Sequence, residues 1–179
     1  MKKVSNFTNI RVVFLGSFFC GKTNLANSLT NKRYVVEYTP TIGIDYFVKN
    51  NKYNKLHIWD TAGITRFRSL LLSYVQNSDV LCFCFENNNL ASLKQMIEIY
   101  HHFSWKCNYL EKKIIIVKTK CDIINNDNIF TETKLDDFNI YNYPIISTSS
   151  MRKSGLEELN NTIGEKLFNI EKKEKRCCF

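Results

Sequence analysis

The sequence lacks a long hydrophobic run, because none of its apolar stretches approaches the roughly 20 residues of a membrane-spanning helix. Residues 1–10 do not combine a charged start with an apolar core, so no secretory leader is predicted. Lys2 stands where N-myristoylation requires glycine. The seven cysteines are an odd number, which argues against a disulfide framework. We therefore expect the chain to work in the reducing cytosol.

Few residues could hold a metal ion through nitrogen or sulfur. The three histidines, His57, His101 and His102, match no metal-ligand spacing, and we interpret them as ordinary surface or packing residues. Cys82 and Cys84 lie inside an apolar run, where small buried hydrophobes are a simpler interpretation than half of a metal site. The formal net charge of +8 comes from scattered lysines and arginines, so no nucleic-acid face is predicted.

Near its N-terminus the sequence does contain a phosphate-binding pattern, Gly16-Ser17-Phe18-Phe19-Cys20-Gly21-Lys22-Thr23. Glycine lets backbone N–H groups curl around phosphate oxygens without a Cβ clash. Lys22 supplies a charge for the outer phosphates, and the Thr23 hydroxyl can ligate Mg2+. The pattern lies between an apolar run at residues 10–15 and apolar residues at helical spacing. We predict a strand, a loop and a helix that together bind a nucleotide.

Strand and helix patterns alternate along the rest of the chain, whose length suits one domain. Two strands around a polar turn, at residues 43–49 and 55–59, predict an antiparallel hairpin. Further runs look buried on both faces, as central parallel strands are, and these are residues 80–85, 114–117 and 144–147.

Helical patterns lie between the predicted strands. They cover residues 91–102, a short stretch at 133–138, and a last helix with Leu156, Leu159, Ile163 and Leu167 on one stripe. We predict a three-layer α/β fold with a mostly parallel six-stranded sheet and one antiparallel hairpin at its edge. Any ligand should lie at the carboxyl ends of the strands.

Two later motifs extend the predicted site from phosphate to base. Asp60, in Trp59-Asp60-Thr61-Ala62-Gly63, directly follows a predicted strand, where its carboxylate can hold Mg2+. Asp122 ends Thr119-Lys120-Cys121-Asp122, where a carboxylate can accept hydrogen bonds from N1 and the 2-amino group of guanine. Adenine offers no such donors. The order of these motifs, completed by Ser147-Thr148-Ser149-Ser150, therefore predicts guanine-nucleotide binding.

On these motifs the sequence resembles the Ras superfamily of small GTPases, and most closely the Rab family. The Rab likeness rests on residues 41–46 in the first switch, on residues 59–63 and 66–70 in the second, and on two cysteines near the end. It implies a small G domain of the P-loop type that binds GTP or GDP with Mg2+ and hydrolyses GTP. Such a domain is a molecular switch in vesicle-mediated and intracellular protein transport.

The resemblance also implies a role for each matching residue. Lys22, Thr41 and Gly63 would be catalytic, and Thr23, Thr41 and Asp60 would bind the metal. The nucleotide would be bound by Gly16, Ser17, Phe18, Phe19, Cys20, Gly21, Lys22, Thr23, Asn24, Tyr34, Thr41, Gly63, Thr119, Lys120, Asp122, Ser149, Ser150 and Met151. Effectors would contact Ile42, Gly43, Ile44, Asp45, Tyr46, Trp59, Phe67 and Tyr74. Three of these aromatic residues, Tyr46, Trp59 and Tyr74, match an exposed hydrophobic triad, for which core packing is the alternative interpretation.

Several residues depart from the Rab pattern. Ile64, followed by Thr65, stands where Rab proteins have the glutamine that positions the attacking water. Phe18 replaces a small residue beside the γ-phosphate, where its bulk would obstruct a catalytic arginine from a partner. Both changes predict slow GTP hydrolysis. Thr119 in place of Asn, and Met151 in place of Lys, predict weaker nucleotide affinity without its loss.

Two alternatives stay open at this point. A pseudo-GTPase would remain GTP-bound or nucleotide-free and act as a non-catalytic effector-binding scaffold, and Phe18, Phe19 and Ile64 favour it. An ATP-dependent P-loop enzyme is disfavoured, because Asp122 would have no partner on adenine.

The end of the chain predicts membrane attachment. A G domain over residues 1–170 is followed by a short basic tail, residues 171–179, which carries Cys177 and Cys178. Arg176 stands where a C-a-a-X box needs cysteine, whereas adjacent cysteines match Rab-type double geranylgeranylation. Two lipid chains anchor stably, while one gives reversible binding. Free thiols are the alternative.

The resemblance implies partners and a location as well. The partners would be a guanine nucleotide exchange factor, a GTPase-activating protein, a GDP-dissociation inhibitor or escort protein, and effectors. The protein would lie on the cytoplasmic face of endomembranes and cycle with the cytosol. Residues 66–78 resemble Golgi-associated Rab proteins, so the Golgi or transport vesicles are the expected compartment.

Overall fold

The fold is built on one mixed β-sheet. The computed structural model describes residues 8–37, 39–52, 54–63, 68–123 and 143–165. Within these ranges the strands are β1 Thr8–Gly16, β2 Ile44–Asn50, β3 Asn54–Thr61, β4 Val80–Glu86, β5 Lys113–Thr119 and β6 Ile145–Ser147. The sheet order is β2-β3-β1-β4-β5-β6, and β2 pairs with β3 antiparallel while the other pairs are parallel. The predicted sheet with its edge hairpin is confirmed.

Helices cover both faces of this sheet. They are α1 Lys22–Leu29, α2 Arg68–Gln76, α3 Leu90–Ser104 and α4 Leu156–Glu165, with a 3-10 turn at Tyr109–Glu111. The helices predicted at residues 91–102 and from Leu156 are confirmed, but the one predicted at 133–138 lies outside the described residues, as does Leu167. In the described part of the chain, no helix is long and apolar enough to cross a bilayer.

Successive residues of the central strands pack into two separate cores, which makes the fold three-layered. Phe14 and Cys82 face α1 and α4, where Leu25 is buried against them. Leu15 and Phe83 face the other side, which α2 and α3 cover. Because both faces of each strand are apolar, the strands show no polar alternation. Cys82 and Cys84 are fully buried, as predicted, and burial raises the pKa of the Cys82 thiol to about 12.

Parallel strands give the molecule two distinct ends. The carboxyl pole is where β1, β4 and β5 end, with Gly16 opposite Cys84 and Glu86 opposite Thr119. The amino pole is where β1, β3, β4 and β5 begin, with Thr8 opposite Asn54 and Val80 opposite Lys113. The predicted phosphate loop begins at the carboxyl pole, as expected for a ligand site in such a sheet.

Candidate nucleotide-binding site

The phosphate loop joins the end of β1 to the start of α1. A Cβ atom added to Gly16 would lie 2.2 Å from the backbone oxygen of Cys84, so only glycine lets the loop leave the sheet this closely. Gly21, the residue before α1, has a φ of +89°, a conformation that favours glycine. Backbone geometry therefore explains why both positions of the sequence pattern are glycine. The N-terminus of α1 opens directly from the loop, where its dipole favours an anion.

Lys22 occupies the inside of the loop. Its side chain is buried, and its ammonium nitrogen donates to the backbone oxygens of Gly16 at 3.2 Å and Ser17 at 2.8 Å. The Ser17 hydroxyl lies 2.7 Å from the hydroxyl of Ser92 on α3, which ties the loop to the neighbouring helix. The loop thus holds one positive charge at its centre in a fixed frame.

Two hydroxyls and one carboxylate meet at the mouth of the loop. Thr23 Oγ1 donates to Asp60 Oδ2 at 2.6 Å, and Thr41 Oγ1 lies 3.3 Å from the same oxygen and 3.0 Å from Thr23 Oγ1. These are the predicted metal-binding residues, which come from α1, β3 and the segment before β2. We call Thr23, Thr41 and Asp60 the oxygen cluster.

The carboxylate of this cluster is suited to a hard cation. Asp60 is fully buried, and its Oδ1 atom has no hydrogen-bond partner among the described residues. Burial raises the pKa of Asp60, while the hydrogen bond from Thr23 and the charge of Lys22 lower it. A buried carboxylate oxygen without a donor needs a positive partner, and oxygen ligands of this kind suit Mg2+.

The second switch begins in direct contact with the phosphate loop. A Cβ atom on Gly63 would lie 2.4 Å from the backbone nitrogen of Phe18 and 2.6 Å from its Cα. The Gly63 backbone therefore touches the loop residue that is predicted to lie beside the γ-phosphate. Ile64, Thr65 and Phe67 lie outside the described residues.

The C-terminal end of strand β5 is hydrogen-bonded to the phosphate loop as well. The Thr119 hydroxyl lies 2.5 Å from the backbone oxygen of Cys20 and 2.9 Å from that of Phe85. A threonine hydroxyl can therefore link the base-binding motif to the loop at the position where Rab proteins have asparagine.

Lys120 lies across the loop, held from two sides. Its ammonium is 4.8 Å from the centroid of the Phe19 ring and 3.0 Å from Glu86 Oε1 at the end of β4. Phe19 has a φ of +69°, a left-handed conformation that costs a non-glycine residue roughly 1 kcal/mol. The part played by Glu86 could not be predicted from the sequence, because the contact joins two strand ends that only the sheet order brings together.

The predicted base-binding residues also lie together. Ser149 Oγ donates to Asp122 Oδ1 at 2.5 Å and accepts from the backbone nitrogen of Arg152 at 3.0 Å. The backbone oxygen of Ser150 lies 3.3 Å from the Ser28 hydroxyl on α1. The Met151 side chain is 67% exposed, so it is not packed into the protein.

Asn24 holds the start of the first switch. Its side-chain amide donates to the backbone oxygen of Val35 at 2.9 Å, and its Oδ1 atom accepts from the Val35 backbone nitrogen at 3.0 Å. Tyr34, predicted to bind the nucleotide, is the preceding residue and is 38% exposed. Asn24 was predicted to bind nucleotide, and its observed contacts are with the switch backbone. No local pattern in the sequence indicates such a pairing.

An aromatic surface lies on the β2–β3 hairpin and α2. It consists of Tyr46, His57, Trp59 and Tyr74, in which the Tyr46 and Trp59 ring centroids are 5.5 Å apart and those of Trp59 and Tyr74 are 6.2 Å apart. Tyr46 is 51% exposed, whereas Trp59 and Tyr74 are half-buried against the α2–α3 core. The predicted triad is thus part packing and part surface.

His57 is a further member of this surface that was not predicted from the sequence. The Tyr46 hydroxyl is hydrogen-bonded to His57 Nδ1, and His57 Nε2 lies 3.1 Å from Asn9 Oδ1. Strand alternation offered a signal, because His57 and Trp59 are two residues apart on β3 and so share a face. Ile42, also expected to contact effectors, is 88% exposed.

The site has a phosphate loop after the first strand of a mostly parallel sheet. The Asp60 carboxylate lies at the mouth of the loop, and the Asp122 carboxylate lies at the far end of the site. This arrangement defines a P-loop nucleotide-binding protein. A family model described as the Ras family matches residues 11–169. The match covers the sheet, the loop and both ends of the site.

The named relatives narrow the assignment from the Ras family to the Rab group. The chain is 28% identical to the Ras-related protein Rab7 of Pisum sativum over 168 residues, which are 88% of this chain and 82% of that protein. It is 24% identical to the Ras-related protein Rab-7a of Dictyostelium discoideum over 177 residues, 90% of this chain and 84% of that one. For the Ras-related protein RABG3f of Arabidopsis thaliana the identity is 27% over 161 residues, with 84% and 78% covered. The chain belongs to the Ras family, as a small GTPase of the Rab group.

The family defines the general activity. The protein is a Rab-like small GTPase that binds GTP and GDP, hydrolyses GTP and acts in vesicle trafficking at endomembranes. Its partners in general are the regulators and effectors that such GTPases use. The alternative of a non-catalytic scaffold has no support over this function.

Proposed function

We propose that this GTPase is a slow switch, with Mg2+ held by Thr23, Thr41 and Asp60 and guanine held by Asp122. The observation that carries the proposal is the oxygen cluster, in which two hydroxyls converge on a buried carboxylate with an unpartnered oxygen. Those ligands fit a hard divalent cation. A bound Mg2+ supplies positive charge to phosphate oxygens during hydrolysis.

The two switches are proposed to respond to the γ-phosphate through the residues that touch the loop. Thr41 of the first switch contacts Thr23, and Gly63 of the second contacts Phe18. Lys22 supplies the charge for the outer phosphates between them. One ligand group between these contacts could therefore order both segments together, which is how GTPase switches operate.

Slow hydrolysis follows from two residues at the reacting end of the site. Ile64 has no side-chain group to orient water. Phe18 is 46% exposed on the loop, where Gly63 contacts its backbone, so its ring can obstruct an arginine from a partner. Loss of an orienting group typically lowers the rate by about 100-fold with little effect on ground-state binding.

The central test combines nucleotide content with single-turnover kinetics. Purified protein should carry GTP or GDP, and ATP should fail to compete for the site because Asp122 would be left without donors. Wild-type protein preloaded with GTP and Mg2+ should hydrolyse slowly, Ile64→Gln should restore part of the rate, and adding Phe18→Gly should restore more. Hydrolysis at an ordinary Rab rate in wild type, or no response to either substitution, would contradict the proposal.

We further propose that Cys177 and Cys178, in the tail at residues 171–179, carry prenyl groups that anchor the G domain of residues 1–170. The support is sequence context, since the cysteines are adjacent and follow a basic run. Exchange factors, GTPase-activating proteins and a GDP-dissociation inhibitor or escort protein would then control nucleotide and membrane cycling. Effectors would bind the aromatic surface. The Golgi stays a prediction from residues 66–78.

A further inference from the structure

Two large apolar side chains are almost fully exposed in the connection between α3 and β5. Trp105 is 90% exposed and Leu110 is 97% exposed. Scattered apolar residues on a surface are ordinary, but a tryptophan and a leucine this exposed in one short segment are a candidate contact site. We define residues 105–112 as the α3–β5 connection.

The connection has a defined structure, so this exposure is not a frayed end. Tyr109 and Cys107 pack against the α2–α3 core, and the Tyr109 hydroxyl donates to the backbone oxygen of Tyr100 at 3.1 Å. The Lys112 ammonium donates to the backbone oxygens of Gln76 and Ser78 at 2.7 and 2.8 Å. Inward-facing residues thus fix the backbone while Trp105 and Leu110 point to solvent.

The connection lies at the amino pole, where α4 also ends. Lys113 at the start of β5 pairs with Val80 at the start of β4. Asn160 of α4 accepts a hydrogen bond of 3.1 Å from Asn51, which belongs to the β2–β3 turn at the same pole. Glu165 ends the described part of α4 about one helical turn further along. The described part of the chain therefore ends at the pole that carries Trp105 and Leu110.

The length of the tail limits how far this pole can move from a membrane. The twelve residue steps from Glu165 to Cys177 span at most about 40 Å when fully extended. In the sheet, β3 and β5 are separated by three strand spacings, which is about 15 Å. Lipid groups on Cys177 and Cys178 would thus keep the whole amino pole near the bilayer surface, within reach of this span.

The charge of the amino pole matches an acidic membrane. Its lysines, Lys52, Lys55, Lys106 and Lys112, outnumber the acidic residues Glu111 and Glu165, and Asp79 is already paired with Arg11 at 3.0 Å. The tail adds Lys172, Lys173, Lys175 and Arg176 against two glutamates. Basic residues near an anionic leaflet strengthen binding to it. Tryptophan favours the interface between acyl chains and headgroups.

We propose that the α3–β5 connection is a membrane-contact loop, in which Trp105 and Leu110 enter the interface of an anionic phospholipid bilayer. The prenylated tail would anchor the protein, as proposed above, and the α3–β5 connection would determine the orientation of the G domain on the membrane. The carboxyl pole, with the nucleotide site, would then face away from the membrane. The tail's part in this inference rests on the proposed prenylation, whereas the affinity of the loop for lipid does not.

Trp105 itself provides the test, because the chain has two tryptophans and Trp59→Phe leaves Trp105 as the sole fluorophore. The full chain, prenylated by expression in eukaryotic cells and checked by mass, is bound to vesicles of phosphatidylcholine and phosphatidylserine. We expect its emission to shift to shorter wavelength and to be quenched by lipids brominated in the acyl chain. Prenylated protein that binds vesicles without any change in Trp105 emission would overturn the proposal.

Unprenylated full chain, with Cys177 and Cys178 replaced by serine, separates the loop from the lipid anchor. At high lipid concentration we expect the same emission shift, stronger with phosphatidylserine than with phosphatidylcholine alone. Leu110→Ser should weaken this partition about tenfold, which corresponds to about 1.4 kcal/mol, because the leucine side chain is only partly removed from water at the interface. If mass analysis finds no prenyl group but this partition remains, lipid attachment is wrong and the loop assignment stands.

Val36→Ser is the matched control, because Val36 is 85% exposed but lies in the first switch at the carboxyl pole. It should leave vesicle partition unchanged. An equal loss for Val36→Ser and Leu110→Ser would overturn the loop assignment. An emission shift that depends on protein concentration in the absence of vesicles would also overturn the loop assignment, because Trp105 would then contact another copy of the chain.

Discussion

At the scale of single residues, Asp60 shows how burial and function conflict. Its carboxylate is fully buried, which raises its pKa, and its Oδ1 atom lacks a partner among the described residues. A buried carboxylate is unfavourable unless it is paired or coordinates a cation. The same residue should therefore destabilise the metal-free fold and stabilise the metal-bound one.

Asp60→Asn tests this opposition. Because the folded pKa is raised, the metal-free protein loses stability as pH rises from the ordinary aspartate pKa through the raised one, and asparagine should remove that loss. Thermal unfolding of metal-free protein above this window should thus occur at the same or a higher temperature in the variant. Mg2+ affinity of GDP-loaded protein should fall about 100-fold, since even outer partners of metal ligands are worth 10- to 100-fold. Equal Mg2+ affinity in both proteins would exclude Asp60 as a ligand.

A second residue-scale prediction concerns Glu86, which holds Lys120 across the phosphate loop. The two side chains are 20% and 25% exposed, so the pair is better shielded than a surface ion pair. Glu86→Gln should release Lys120 and speed GDP dissociation roughly fivefold, equivalent to about 1 kcal/mol. The measurement is displacement of a fluorescent GDP analogue.

Asp79→Asn is the control for Glu86→Gln, because it removes the ion pair with Arg11 at the amino pole. That substitution should leave GDP dissociation unchanged. If both variants accelerate release equally, the effect comes from general loss of charge and not from the position of Lys120.

At the scale of elements, the sequence predicted what local patterns determine. Apolar runs without polar alternation located β4 and β5 to within a few residues, because these strands are buried on both faces. The run at residues 144–147 also located β6, but its predicted burial on both faces is wrong. Strand β6 lies at the edge of the sheet, where Ile145 and Ser147 are exposed. Helix α2 was not predicted, since Arg68–Gln76 is short and its buried side chains, Leu71 and Val75, make only one helical repeat. Its buried residues pack against α3 and the sheet, and no local pattern reports such long-range contacts.

The same distinction applies to the site. Gly16, Lys22, Thr23 and Asp60 could be found because each phosphate-site role requires a particular residue type at a particular spacing. Glu86 beside Lys120, and Asn24 beside Val35, could not be found, because long-range pairs of this kind depend on strand order and loop path. Pairwise contacts between distant segments are the part that a single sequence leaves undetermined.

Asn24 is the element-scale prediction, since its amide joins α1 to the first switch through two hydrogen bonds. Asn24→Ala should remove both, at about 1 kcal/mol each, and loosen the switch around Val35. Hydrogen exchange should show the Val35 amide losing protection by about tenfold. Asn24→Asp keeps the acceptor for the Val35 N–H and should retain part of that protection. Unchanged exchange in Asn24→Ala would mean that the contact does not order the switch.

At the scale of the whole molecule, the two poles carry different sites. The carboxyl pole holds the loop, the oxygen cluster and Asp122, while the amino pole holds Trp105, Leu110 and the end of α4. The sequence predicted a short tail but not that the described part of α4 ends at the pole that carries Trp105 and Leu110. With the tail short, the orientation of the domain and its attachment become linked properties.

Tail length therefore provides the last prediction. A flexible glycine- and serine-rich linker of about 20 residues between Ile170 and Glu171 should leave prenylation and vesicle binding intact, because the lipids alone anchor. It should nevertheless lower the effective concentration of the loop at the bilayer, which falls as a tether lengthens. Quenching of Trp105 by brominated lipid, in the Trp59→Phe background, should drop toward the value of the unprenylated chain.

A rigid helical insertion of equal length serves as the comparison and should abolish the contact when it holds the pole off the surface. Unchanged quenching with both insertions would mean that the loop binds lipid without help from the tail, and the linkage between orientation and attachment would be wrong.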